Sequence, residues 1–479
     1  MSTFSGLNTA YTGLVAARQG LDVVGQNIAN ANTVGYTRQR VTTSAIGGVA
    51  STGILSNGQR IGQGVSVDGI ARLGSAQLDA QVRGAAAAAG YTAVRANSLS
   101  SIETSLHEPG EDGISAKLDA FWASWQGLAN SSDTTTPAAL VLSTAGELVT
   151  QIAQGYQAVT DEWASVRSDL GHMVTELNGA AQQVADLNVQ IRQTVAGGGN
   201  ANELLDQRSV LTTTISALTG ASVVAKSDGT VDVLVSGNAL VTGGTANAMA
   251  VSVGAAGGAA GGAAVGATVT LKWTDTTKSA VSIEGGEMAG ALSLLGGDGE
   301  LNKAAKAYDS FAIDLADKVN AIYATGTNVV GGQSGPFFSF VLGNAAQTLG
   351  VVPTAGSDVV AGNSGLGAFD GSIADRLAQL GAGKATNTAG AIATPNTVWS
   401  DFVSTIAVAT QSHLQQANLA SSTATFAVSQ QLANASVDLD EENVNLLMFQ
   451  TAYQGAARVM TAVDEMLDTL INRTGLVGR

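Results

Sequence analysis

Apolar residues fall on a seven-residue lattice at both ends of the chain, and little else in the sequence constrains the fold so strongly. Leu7, Leu14, Leu21 and Ile28 share one position, and Ala10, Ala17, Val24 and Ala31 stand three residues later. At the other end Leu439, Leu446, Tyr453, Met460 and Leu467 are spaced by seven, followed three residues on by Phe449, Ala456, Val463 and Leu470. A period of seven with apolar residues at two positions predicts coiled-coil helices rather than the broader stripe of a globular surface helix. Asp438 and Glu441 predict the start of the C-terminal one, where carboxylates satisfy orphan N–H groups. An ordinary amphipathic helix on a globular core is the plainer reading of either seam alone. Two matched seams predict that the helices lie along one another as a rod too thin to cover its own apolar surface.

The N-terminal helix ends in NIANANTVGYTRQR, residues 27 to 40. Asparagine competes with helical hydrogen bonding and tolerates left-handed backbone, and Gly35 supplies positive φ without steric cost. Each carboxamide both donates and accepts, so Asn27, Asn30 and Asn32 are candidates for sideways bonds to other chains; a long polar helix cap is the alternative.

Between the ends, residues 36–69 lack helical period and predict an extended connector. Helices are predicted over 70–107, around LDAFWASWQGLAN (118–130), and from 138 to the break at AGGGNAN (196–202). ELLDQRSVLTTTISALTG restarts the helix. Trp122 and Trp125 read as packing anchors. Alternation at Val231, Val233 and Val235 about a Ser-Asp-Gly turn predicts a β-hairpin, and ATVTLKWTD and AVSIEGG add strands, so 221–285 is a small β insertion. GAAGGAAGGAAVG (254–266) cannot pack and predicts a flexible loop. Helix returns over 286–328; 330–395 is irregular apart from SIADRLAQLGA, and 398–436 is helical.

Chemistry is sparse. His107, His172 and His413 stand far apart, the glycine-rich runs lack the Lys-Ser/Thr of a phosphate loop, and no G-x-S-x-G sits on a strand-to-helix turn. The acidic cluster at 438–442 lacks the glycine of a calcium loop and suits a helix start. No catalytic residue, metal site or cofactor is therefore expected. A formal charge of −16 and the absence of any basic run argue against nucleic acid and anionic membranes as partners. There is no cysteine, so disulfides and thiolate chemistry are excluded. The first twenty residues lack the charged and apolar regions of a cleaved signal peptide, which leaves export by another route open.

NIANANTVGYTRQRV resembles the N-terminal signature of the axial proteins of the bacterial flagellum, and VDLDEENVNLLMFQTAYQGAARVMTAVDEMLDTLINR resembles their C-terminal one. GYTRQR, LDEENVNLLMFQTAYQGAARV and the interior NELLDQRSVL are similar to the first hook-associated protein family (FlgK). Val34 departs from the proline frequent in rod and hook subunits. The resemblance implies a mainly α fold with a small β insertion, built as a nested multi-domain rod. Residues 1–35 and 437–479 would form the terminal coiled coil, 70–220 and 286–436 the helical middle domain, and 221–285 a β outer domain.

The function implied is that of a structural subunit at the hook–filament junction, extracellular, exported unfolded through the flagellar apparatus without a cleaved signal peptide. A rod or hook subunit is the alternative, and a soluble helical enzyme or adhesin a more distant one. Implied partners are the hook subunit, a second hook-associated junction protein, copies of the chain in a helical ring, and an export chaperone at the C-terminal helix. The residues expected at the assembly interface are Leu7, Leu14, Leu21, Ile28, Asn27, Asn30, Asn32, Gly35, Tyr36, Leu446, Phe449, Tyr453, Met460, Val463, Leu467 and Leu470.

Overall fold

The computed structural model describes all residues except 1–2, 48–61, 132–134, 255–264, 276–280, 328–334, 364–365, 367–369, 385, 388–389, 392 and 473–479. The chain opens with helix α1 (Thr3–Ala29), then strands β1 (Gln39–Ala45) and β2 (Val65–Arg72) and helices α2 (Ala76–Ser105), α3 (Ile114–Ala129), α4 (Thr135–Ala196) and α5 (Asn202–Thr219). Six strands follow: β3 (Ser222–Ala225), β4 (Val231–Val235), β5 (Asn238–Thr242), β6 (Thr245–Ala246), β7 (Met249–Val253) and β8 (Val269–Trp273). Helices α6 (Gly286–Leu295) and α7 (Glu300–Tyr323) come next, then β9 (Phe338–Ser339), α8 (Ala345–Thr348), β10 (Gly350–Val351) and α9 (Ser372–Gly381). The chain closes with α10 (Pro395–Ala435) and α11 (Leu439–Asn472).

The spine is α4, 62 residues long and about 93 Å at 1.5 Å per residue. Its only proline, Pro137, sits in the first turn, where the missing N–H costs nothing. Val141, Leu148, Ile152, Val159, Trp163, Leu170, Leu177 and Val184 recur by four and seven and are all buried, so one stripe of this helix faces the core along most of its length. Trp125 is fully buried in an aromatic cluster, edge-on to Phe121, Phe337 and Tyr323, which is the anchoring role expected of it.

The paired phenylalanines are held by one side chain. Asn320 Oδ1 accepts from the backbone N–H of Phe337 and Phe338 at 2.8 and 2.9 Å, and its Nδ2 donates to the Phe338 carbonyl at 2.8 Å. Asn320→Ala strands three backbone groups in a largely dry turn, and we expect it to lower the unfolding free energy by about 2 kcal/mol in urea titration.

Two expectations are corrected. The 36–69 connector is not merely extended: β1 and β2 pair as an antiparallel ladder from Gln39 opposite Arg72 to Ala45 opposite Val65, with a register shift at Thr42/Thr43. Nor is the β region separately cored. It forms a four-stranded antiparallel sheet, β3-β4-β5-β6, and a β7-β8 pair, and its buried residues Val233, Val235, Leu240, Val241 and Leu271 belong to the same apolar cluster as α4. Sheets this small cannot bury both faces alone, so they borrow a helix. The expected strand at AVSIEGG reduces to one bridge between Leu271 and Val281, and Gly286 already opens α6. Most of the predicted 254–266 loop lies outside the described residues.

The terminal rod and its junction with the body

The helices α1 and α11 run antiparallel side by side, and the seam holds the expected Ala10, Ala17, Val24, Phe449, Ala456 and Val463 but not the expected leucines. A Cβ at Gly6 would stand 3.9 Å from Val463, one at Gly13 would stand 4.0 Å from Ala456, and one at Gly20 would fall 2.5 Å from the Phe449 ring. These pairs step by seven in opposite directions, and the next step brings Asn27 to Glu442, whose Oε2 accepts from Asn27 Nδ2 at 3.1 Å. The line of closest approach is therefore Gly6, Gly13, Gly20 and Asn27, flanked by buried Ala10, Ala17 and Val24. Small residues let the two backbones close in, and Phe449 fills the notch that Gly20 leaves. Leu7, Leu14, Leu21 and Ile28 stand one residue further round and are half-buried; so are Leu446, Phe449, Met460 and Leu467, while Val463 is buried.

A second apolar stripe on α11 is uncovered. Val444, Met448, Val459 and Met466 are each half exposed or more and fall within about 60° of arc, roughly a quarter turn from the Phe449–Val463 seam at 100° per residue. Leu470 and Ile471 are also exposed, as is Tyr453 at 37%.

The asparagine-rich stretch closes the rod onto the body. Asn27 is 1% exposed and makes four bonds: its Nδ2 donates to Glu442 and to the Gln39 carbonyl, and its Oδ1 accepts from Tyr36 OH at 2.9 Å and from the Gln39 N–H at 3.0 Å. It is thus saturated within its own chain, which corrects the expectation of sideways bonds from this residue. Asn30 Nδ2 donates back to the Gln26 carbonyl, and its Oδ1 accepts from Thr33 Oγ1, so this residue caps locally. Asn32 is exposed, and Gly35 takes φ 82° as expected. Asp438 caps α11 through the N–H groups of Asp440 and Glu441.

Arg38 reaches across to α11. Its Nε donates to Glu442 Oε1 at 2.8 Å and its Nη1 to Glu441 Oε2 at 2.6 Å, while its backbone N–H donates to the Ala435 carbonyl. The NELLDQR segment serves the other side. Asp206 Oδ1 accepts from Arg72 Nε at 2.6 Å and Oδ2 from the Thr37 N–H at 3.0 Å, and Asn202 Nδ2 donates to Gln39 Oε1 and the Ile70 carbonyl. Arg208 Nη1 donates to Asn188 Oδ1 and to the Gly229 carbonyl. Asn188, fully buried, also pairs with both backbone groups of Val231 and donates to the Gly243 carbonyl. One chain of polar contacts thus joins both termini, the hairpin, α5 and the sheet.

Electrostatics follow from this crowding. Burial first, then the carboxylates of Asp206, Glu203 and Glu442, push the Tyr36 phenol up to about 12, so it remains a donor to Asn27. Burial, then the nearby Arg72, lower Arg208 to about 10, which still leaves it charged at neutral pH. Among the described residues no group of His, Cys, Asp and Glu is placed to hold a metal, and no helix is long and apolar enough to cross a membrane.

Two terminal helices paired as a rod, with an apolar face of α11 uncovered and a polar step locking them onto a long helical body, make up the architecture of a structural protein. The family model described as the flagellar hook-associated protein FlgK helical domain matches residues 99–338, half of the chain, and the chain belongs to that family. Two further models match its ends: the flagella basal body rod protein over 7–37 and the flagellar basal body rod FlgEFG protein C-terminal over 428–473.

Among its relatives is the flagellar hook-associated protein 1 of Bacillus subtilis (strain 168), 29% identical over 514 aligned positions and matched along 100% of both chains. That of Salmonella typhimurium (strain LT2) is 30% identical over 341 positions, 70% of this chain and 59% of the relative. The solved structure of the flagellar hook junction protein FlgK from Burkholderia pseudomallei shares the fold, with a TM-score of 0.59 at 15% identity, covering 74% of this chain and 99% of that one.

Proposed function

We propose that the chain is a structural subunit of the flagellum at the junction between hook and filament, assembling through its terminal rod. Membership of the hook-associated family supports the location, and the uncovered stripe on α11 carries the mechanism. Each α11 side chain on that stripe would shed apolar area from water only against a neighbouring chain. The hook subunit below, a second hook-associated protein above and further copies around the ring supply such neighbours, and an export chaperone would cover the same helix beforehand. Export unfolded fits a cysteine-free chain, and the rod orders fully only among its neighbours. Of the expected α11 interface, Phe449 and Val463 leave it for the seam with α1, Leu446, Tyr453, Met460, Leu467 and Leu470 stay, and Val444, Met448, Val459 and Met466 join them in this proposal. On α1 the interface keeps the half-buried Leu7, Leu14, Leu21 and Ile28, which flank the glycine line, and loses Asn27, whose bonds are all within the chain. The role is structural rather than catalytic.

Deleting the chain from its cells is expected to leave hooks intact and release unpolymerised filament subunits into the medium. Restoring it as Val459→Asp, with a charge in the middle of the stripe, should fail to bring filaments back. Filaments on either strain would overturn the assignment.

A further inference from the structure

The rod carries an isolated cation, and the body carries an acidic groove without one. Arg458 is exposed on α11 beside Val459 and makes no ion pair among the described residues. Neither turn next to it holds a carboxylate: the residues three and four away are Gln454, Gly455, Thr461 and Ala462. The facing stretch of α1 has none either, its only acidic residue being Asp22. The groove, about 680 Å³, lies between the Asn30–Tyr36 turn and helices α4 and α5. Its floor is apolar, with Leu187, Val210 and Leu211, and the exposed carboxylates of Asp186 and Glu203 line it. Asp206 in the same wall is already engaged by Arg72, and no cation is among the lining residues.

We infer that this groove receives the outer face of α11 from a second copy of the chain, with Arg458 between Asp186 and Glu203. Apolar floor matches apolar stripe, and at Arg458 the charge is opposite to that of Asp186 and Glu203, the next carboxylates along α11, Asp464 and Glu465, standing six and seven residues further on. A single copy cannot make the contact. The antiparallel stepping sets Arg458 level with Tyr11, some nineteen residues of rigid helix, about 28 Å, from the turn that walls the groove. That is several times the reach of an arginine side chain. The donor must be a copy displaced by a similar distance along the rod, and since groove and stripe are different surfaces, the contact is heterologous and propagates instead of closing on a pair.

This inference rests on the proposed assembly through α11, and the test separates the two. Full-length R458E, E203R and R458E/E203R replace the natural chain in cells, and the fraction of cells bearing filaments is counted. Each single variant is expected to reduce that fraction about tenfold, and the double variant to restore most of it. Both positions are exposed, so purified variants should melt as the parent does. Single variants that assemble normally, or a double variant no better than the worse single, would overturn the groove assignment. If V459D loses filaments in the same experiment, assembly through α11 survives that result; if V459D keeps them, both fall.

Discussion

Gly20→Val is expected to abolish filament attachment while leaving the melting of the helical body unchanged. A side chain at position 20 begins with a Cβ 2.5 Å from the Phe449 ring, and the ring's atoms, not a flexible side-chain end, are what it meets. Overpacking of this kind costs about 1–3 kcal/mol in a closed core. The rod has little stability of its own to absorb that, since α11 shelters only one of its two apolar stripes. Gly13→Ala is the matched control. Its new methyl would sit 4.0 Å from the Ala456 Cβ, an ordinary contact, and alanine stabilises a helix by about 1 kcal/mol over glycine. If the notch is the cause, Gly20→Val combined with Phe449→Ala recovers part of the filaments. A Gly20→Val chain that assembles like the parent would show that the helices do not close along this line.

Arg38→Ala is expected to lower stability by about 3 kcal/mol in denaturant titration, at the lower end of what breaking a buried ion pair costs. Glu442 is 1% exposed and takes charge-assisted bonds from Arg38 and Asn27. Without the guanidinium it keeps a buried negative charge and one amide donor. Arg38 itself is a fifth exposed, which is why the lower figure applies. Removing both partners, as Arg38→Ala with Glu442→Ala, should cost less than the sum of the two single changes, because no orphaned charge remains. Additive losses would mean that the two residues act separately.

The rod was legible in the sequence, and so was half of its seam: Ala10, Ala17 and Val24 meet the side of α11 that carries Phe449, Ala456 and Val463, while the leucine positions stand one residue off the line of contact. Leu7, Leu14, Leu21 and Ile28 are the large apolar residues of α1, and a search for buried bulk lands on them. The helices instead close along Gly6, Gly13, Gly20 and Asn27, where absence of a side chain is what allows contact. The spacing of seven among those glycines, continuing into Asn27, was the available signal. Helical period placed α4, α5 and α10 within three residues of their ends, whereas the single helix expected over 286–328 is two, α6 and α7, separated by the glycine-rich 296–299. The β1–β2 ladder went unread: Gln39–Ala45 has only one buried residue, and its partner lies across residues that give no periodicity. Asp206 and Arg72 were missed for a related reason. NELLDQR stood out as a motif, yet nothing local shows that its carboxylate reaches a hairpin more than a hundred residues earlier. Asn27 stands out in the sequence with Asn30 and Asn32, but its four bonds point inward instead of to other chains.

The uninterrupted run of α4 has a mechanical meaning. A strut of about 93 Å that stays helical throughout and has no proline after its first turn lacks the commonest cause of a sharp kink, so it transmits displacement along its length. Compliance is concentrated where the strut meets the rod, in the few polar links at Asn27, Arg38 and Asp206. Such a part is stiff along its length and jointed at its foot, so a bending load on the body reaches those polar links first.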